Sequence, residues 1–286
     1  MAEEDNGVTT MEKNETALQS EGPQAQKYPT WSDLLALLGI FIVALVVAAF
    51  TVNILERSGS ASHGFAVFIS YVIQFLIVVL FAVVQKRMRA PDERPVFRFS
   101  FKKVNPAITL WGLIIVFATS LVIEPIVDFF PDAYIENISR LMGSGGWMML
   151  TMLVMAPVLE EMLFRGIIQE SLTRKFGAFR GILVSSAVFG IIHINPPQAV
   201  NAFFIGIMLG YIYYMTRSLV PVIFIHAVNN AIAYFSWMMN GEKMVSTAEM
   251  LPSRTAYYIL YAVACVIFVI AFVSIYKAIK KQSVPL

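Results

Sequence analysis

The chain has 286 residues, 58% of them hydrophobic and 14% charged, with a formal net charge of +2. Soluble domains carry about 25% charged residues, so this composition excludes an ordinary water-soluble fold and fits a chain with lipid as solvent for much of its surface. Its one cysteine, Cys265, excludes an internal disulfide, and no nucleic-acid partner is expected.

Residues 1–28 are polar and acidic, with Glu3, Glu4, Asp5, Glu12, Glu15 and Glu21. They read as a disordered tail. A secretory signal begins with positive charge and an early apolar run, and neither is present. A spanning helix needs about 20 mainly apolar residues. Eight candidates follow in order: Trp31–Ile54, Gly64–Val84, Ala107–Phe129, Gly146–Leu172, Gly181–Ile194, Gln198–Thr216, Val220–Met239 and Ala256–Tyr276. The expected fold is an all-α polytopic membrane protein. Residues 29–140 hold three helices and 141–240 a core of four. Residues 241–286 hold an outer loop, the last helix and a basic C-terminal tail.

Lys and Arg orient such a chain, because cytosolic loops are enriched in them. The loop after the second helix carries Lys86, Arg87, Arg89, Arg94, Arg98, Lys102 and Lys103. Placing it in the cytosol, with eight crossings, predicts both termini there. That arrangement puts 16 of the 21 basic residues on the cytosolic side and 4 outside, with Arg165 within a helix. In the sixth helix, Gly206 and Gly210 are spaced for close helix packing.

The fourth candidate carries Glu160, Glu161 and Arg165 in its spanning region. Three unpaired charges at the bilayer centre would cost on the order of 8–10 kcal/mol. Glu161 and Arg165 are four apart and share a helix face, so they predict an ion pair. Glu160 is five residues from Arg165, about 140° away at 100° per residue, and is free for another partner.

His63 reads as a solvated loop residue, whereas His193 and His226 fall in spanning segments. Counted along the helices from their cytosolic ends, Glu160 and His193 both lie about 18 Å in, and Asn230 about 15–18 Å. His226 is one turn shallower. Phe189 shares a face with His193, and Asn230 with His226. A glutamate and two histidines in one layer can activate water. One route places a divalent metal such as zinc on His193 and His226, with Glu160 as base. The other is metal-free: Glu160 and His193 polarise water, and His226 and Asn230 stabilise the oxyanion. Both routes fit the residues. The His-Glu-x-x-His, Gly-x-Ser-Gly and Gly-x-Gly-Asp signatures of other membrane proteases do not occur.

The ordered set Glu160-Glu161-x-x-x-Arg165, Phe189-x-x-x-His193 and His226-x-x-x-Asn230 resembles the CAAX protease and bacteriocin-processing (Abi) family, which includes the Ras-converting CAAX endopeptidases. The likeness extends to Ala156-Pro157-Val158-Leu159 and to His193-Ile194-Asn195-Pro196-Pro197-Gln198, and covers Trp147 to Ala233. The resemblance implies an eight-helix intramembrane endopeptidase with its site open to the cytosol. Glu160 and His193 would activate water, while His226 and Asn230 would hold the oxyanion or a metal. Glu161, Arg165 and Phe189 would support them. The implied substrate is a peptide or protein at the bilayer: a CAAX-type carboxyl terminus, a bacteriocin or a signal-peptide precursor. Short loops and small size suggest a bacterial plasma membrane. The competing readings are a non-enzymatic regulator or immunity protein acting on a sensor kinase or other membrane partner, and a transporter. The chain lacks the paired broken helices that often mark a transporter's binding site.

Overall fold

The computed structural model describes residues 28–91 and 97–281. The expected acidic tail lies, but for its last residue, outside them. The described chain is all-helical, and capping chemistry marks where its helices begin. Thr30 and Asp33 form a reciprocal capping box at the start of α1, Trp31–Arg57. Ser62 caps α2, His63–Arg89. Asn105 caps α3, Pro106–Val127, whose first residue has no amide N–H to satisfy.

A short amphipathic helix, α4, covers Asp132–Met142. It was not expected, because a search for long apolar runs passes over an 11-residue helix with one apolar stripe. Then come the composite helix α5, Gly146–Phe176, and the short α6, Ala178–Ile191. They are followed by α7, Pro196–Thr216, α8, Leu219–Met239, the single turn α9, Thr247–Met250, and α10, Arg254–Lys281.

Seven of the described helices are long and apolar enough to cross a membrane. The protein is a multi-pass membrane protein. The remaining expected span, Gly181–Ile194, corresponds to α6, which has 14 residues and ends at Ile191. At 1.5 Å per residue it reaches about 21 Å, short of the roughly 30 Å hydrocarbon core. Two pairings dominate the packing: α1 lies along α2, and α6 along α7.

Burial ranks the helices. In the most apolar window of α7, 61% of residues are buried, and in α5 50%, against 11% in α10 and 22% in α1. So α5 and α7 form the interior and α1 and α10 the rim. One core cluster joins Phe41 of α1, Phe75 of α2 and Leu163, Phe164 and Ile167 of α5. A second joins Val116 of α3, Leu209 of α7 and Val222 of α8. Large apolar side chains such as Leu35, Phe50, Leu80 and Val266 face outward, where lipid rather than water would be the solvent.

The interior helix α5 is not a regular α-helix. It widens to π geometry over Thr151–Met155 and again over Met162–Gln169. The six-residue α-helical piece between them, Ala156–Glu161, ends on the two glutamates. π turns shift the register of side chains and leave carbonyls short of partners, and they occur frequently at functional sites.

Candidate active site

The charges of α5 are buried as pairs. Glu161 is fully buried, and Arg165 and Glu160 nearly so. Glu161 Oε2 lies 3.1 Å from Arg165 Nε, so the i,i+4 pair forms despite the π geometry around Arg165. The contact is an ion pair without hydrogen-bond alignment at that oxygen. Its other oxygen, Oε1, meets His226 Nδ1 at 2.9 Å. One carboxylate therefore ties α5 to α8 as well as offsetting the guanidinium. The i,i+4 spacing of Glu161 and Arg165 does not by itself foretell this second role.

Arg165 makes two further contacts. Nη2 donates to the Gly206 carbonyl of α7 at 3.2 Å, and the guanidinium sits 4.6 Å from the centre of the Phe189 ring. A desolvated cation over an aromatic face gains about 2 kcal/mol or more. One turn on, Gln169 Nε2 donates to the Gly210 carbonyl at 2.7 Å. The two glycines thus serve close approach, and their bare carbonyls also receive side-chain donors from α5. A Cβ on Gly206 would come within 3.1 Å of Ser186 and 3.2 Å of Phe189.

Glu160 points away from the Arg165 pair, as its angular position on the helix requires. Its Oε1 accepts a 2.6 Å hydrogen bond from the Tyr71 hydroxyl of α2. Its Oε2 lies 3.8 Å from His226 Nε2. Tyr71 was missed in the sequence. A signal was present: Ser70, Tyr71 and Gln74 put three polar groups within an apolar span, and polar groups at membrane depth favour the protein interior.

Phe189 links the two histidines. Its ring meets His193 edge-on at 5.0 Å and His226 edge-on at 6.0 Å. His193 Nδ1 bonds the Phe189 carbonyl at 2.8 Å, which leaves Nε2 for a substrate or proton. His193 does not lie within a spanning helix, as the sequence had led one to expect. It follows the end of α6, in a turn where Ile194 adopts φ 60° and Asn195 N–H reaches back to the His193 carbonyl at 2.5 Å. A β-branched residue in the left-handed region is strained, and such strain clusters at functional sites. The Asn195 side chain caps α7 and donates to the Tyr134 carbonyl of α4 at 3.0 Å, fixing the turn from outside.

Asn230 hydrogen-bonds to the α5 backbone and to its chain neighbour. Its Nδ2 donates to the Met152 carbonyl at 2.9 Å, in the first π stretch of α5, and its Oδ1 accepts from Asn229 at 3.4 Å. The structure thus brings together Glu160, Glu161, Arg165, Phe189 and His226, and joins His193 to them through Phe189. Among the described residues, no three His, Cys, Asp or Glu side chains are grouped to hold a metal ion. The Nδ1 atoms of His193 and His226 are already engaged, so each histidine offers only Nε2 to any further ligand.

Comparison with known proteins sets this geometry in a family context. Residues 143–232 match the family described as type II CAAX prenyl endopeptidase Rce1-like. This segment is similar to that family. The Rce1-like segment runs from the start of α5 into α8 and contains Glu160, Glu161, Arg165, Phe189, His193, His226 and Asn230, but not Tyr71. A protein of Bacillus subtilis (strain 168) named "Putative membrane peptidase YdiL" is 31% identical over 83 residues, which is 29% of this chain. The chain spans 34% of that relative's length in the match. No solved structure matches the chain.

Proposed function

We propose that the chain is an intramembrane peptidase that hydrolyses a peptide bond at Glu160. The observation that carries this reading is a buried glutamate outside the Arg165 pair, held by Tyr71 and facing His226, within an Rce1-like segment. A carboxylate buried at membrane depth is costly. Pairing it with a neutral phenol, while the adjacent glutamate takes the arginine, keeps it available as a base.

The chemistry follows from the donors and acceptors. Glu160, with His193 as its partner in activating water, takes a proton from a water whose oxygen bonds to the substrate carbonyl carbon. The carbonyl oxygen becomes an oxyanion. With Glu161 engaging Nδ1, His226 turns Nε2 toward that oxyanion. The Asn230 amide has two N–H groups, so one can stay on the Met152 carbonyl while the other supports the oxyanion. The C–N bond then breaks, and the proton held by Glu160 passes to the leaving nitrogen. Arg165 and Phe189 position Glu161 and the two histidines.

With the short α6 counted as the eighth crossing, the basic loops support cytosolic termini and a site reached from the cytosolic half of the bilayer. Residues 141–240 form the catalytic core, and the substrate is a peptide or protein at that membrane face. The test is cleavage of quenched fluorescent peptides, including CAAX-type carboxyl termini and bacteriocin or signal-peptide precursors, by purified protein in liposomes. Cleavage by wild type and none by Glu160→Ala is expected. Equal cleavage by both would overturn the assignment.

A further inference from the structure

We propose that Tyr71 is a positioning residue for the reaction, whose hydroxyl holds the Glu160 carboxylate in the orientation that accepts a proton from water. This rests on the reading of Glu160 as the base. Tyr71 comes from α2, outside the Rce1-like segment and 89 residues before Glu160 in the chain. Its role would therefore be invisible to any comparison confined to the matched core.

Three observations support the role. The first is the contact itself. The hydroxyl donates to Glu160 Oε1 at 2.6 Å, the range of a short, charge-assisted O–H···O bond. The second is the anchoring of the ring. Tyr71 packs on Phe75 with centroids 4.7 Å apart and planes 30° from parallel, and the buried Phe75 packs edge-on against Phe41 of α1. The phenol is thus fixed to the α1–α2 pair, and two side-chain torsions suffice to place its oxygen.

The third is the division of the carboxylate. A carboxylate has two oxygens with about four acceptor positions. Tyr71 occupies Oε1, which turns Oε2 toward His226 Nε2 at 3.8 Å. That gap is too long for a hydrogen bond, so Oε2 keeps its lone pairs for a water. The other charged groups at this point are Glu161 and Arg165 of α5, which engage each other, with Glu161 also holding the far nitrogen of His226. None of them restrains Glu160 Oε1. Without the phenol, the carboxylate would keep the 3.8 Å approach to His226 but lose its hydrogen bond at Oε1.

The test is Tyr71→Phe in the full chain, in liposomes, with a peptide that wild type cleaves. The substitution keeps the ring and its contact with Phe75 and removes only the hydroxyl. Loss of a hydrogen bond to a charged group predicts a fall in kcat of about 10–100-fold. KM should stay within about twofold, because the lost interaction acts on the chemical step rather than on binding. Leu121→Ala opens a cavity in a separate core cluster between α3 and α10, away from Tyr71; it should lower the melting temperature and leave kcat per folded molecule unchanged. A wild-type kcat in Tyr71→Phe overturns the positioning role, as does a fall in melting temperature with kcat per folded molecule intact. Full activity in Glu160→Gln would instead defeat the reading of Glu160 on which the role rests.

Discussion

Arg165 bears the largest structural load in the site, and Arg165→Met isolates it. The substitution roughly keeps length and apolar volume but removes the positive charge. Three contacts are lost together: the 3.1 Å ion pair with Glu161, the 3.2 Å donation to the Gly206 carbonyl and the 4.6 Å approach to Phe189. What remains is the fully buried Glu161 carboxylate with His226 as its partner. Breaking a buried pair by removing one member costs about 3–5 kcal/mol, chiefly because the other charge is stranded. At roughly 2–4 °C per kcal/mol for a chain of this size class, the melting temperature of the purified protein should fall by about 10 °C. Arg165→Lys should recover part of the loss, since a point charge replaces the planar fork. Glu161→Gln combined with Arg165→Met should be less damaging than Arg165→Met alone. A melting temperature for Arg165→Met within about 2 °C of wild type, less than the shift expected for 1 kcal/mol, would refute the claim that this charge offsets Glu161.

Further predictions follow from packing and charge elsewhere. A Cβ at Gly181 would stand 2.6 Å from the Thr173 backbone nitrogen and 2.8 Å from its Cα, so Gly181→Ala should force the α5–α6 junction apart and destabilise the protein by about 1–3 kcal/mol, read by thermal unfolding. At the opposite end of α5 from Gly146, buried Glu170 meets Arg174 at 3.0 Å, Arg217 at 3.1 Å and Arg98 at 3.4 Å. Glu170→Ala leaves three guanidiniums facing one another and should lower the melting temperature, most at low salt, without altering kcat of the folded fraction. Asp128 caps the C-terminal end of α3, where an anion opposes the helix dipole. Partial desolvation, and then the charge of Glu249, hold its carboxyl above the ordinary 3.8. A raised carboxyl makes the folded state bind the proton more tightly, so stability falls as pH rises through that range. Asp128→Asn should therefore raise the melting temperature at neutral pH and lose that advantage in acid.

What the sequence made legible was what depends on composition and local spacing. Long apolar runs located α1, α2, α3, α7, α8 and α10 to within a few residues at most ends, because lipid demands them. The four-residue spacing of Glu161 and Arg165 foretold their contact, and the five-residue spacing foretold that Glu160 would face elsewhere. Contacts between distant helices were not legible. Nothing in α2 states that the Tyr71 hydroxyl will meet Glu160, since that depends on how α2 lies against α5. The bond from Glu161 to His226 depends on the rotation of α8, which hydropathy does not fix. The π stretches of α5 carry no proline or glycine that would announce them, apart from Gly166 in the second. They decide that the Met152 carbonyl is what Asn230 meets. His193 was assigned to a helix because its flanking residues are apolar; the turn at Ile194 is set by the Asn195-Pro196-Pro197 start of α7 and by the contact with Tyr134. The helix α4 was overlooked because its apolar residues form a stripe rather than a run.

The central claim is that the Glu160 carboxylate takes the proton from water in peptide-bond hydrolysis. Glu160→Gln keeps size and shape and can still accept from Tyr71, but cannot act as a base. The decisive measurement is kcat of the purified variant and wild type in liposomes on one cleavable peptide, with melting temperatures recorded for both. General-base catalysis is worth about 10²–10⁴-fold, so a loss of that size at an unchanged melting temperature is the expected result. A folded Glu160→Gln protein cleaving at the wild-type rate would contradict the account.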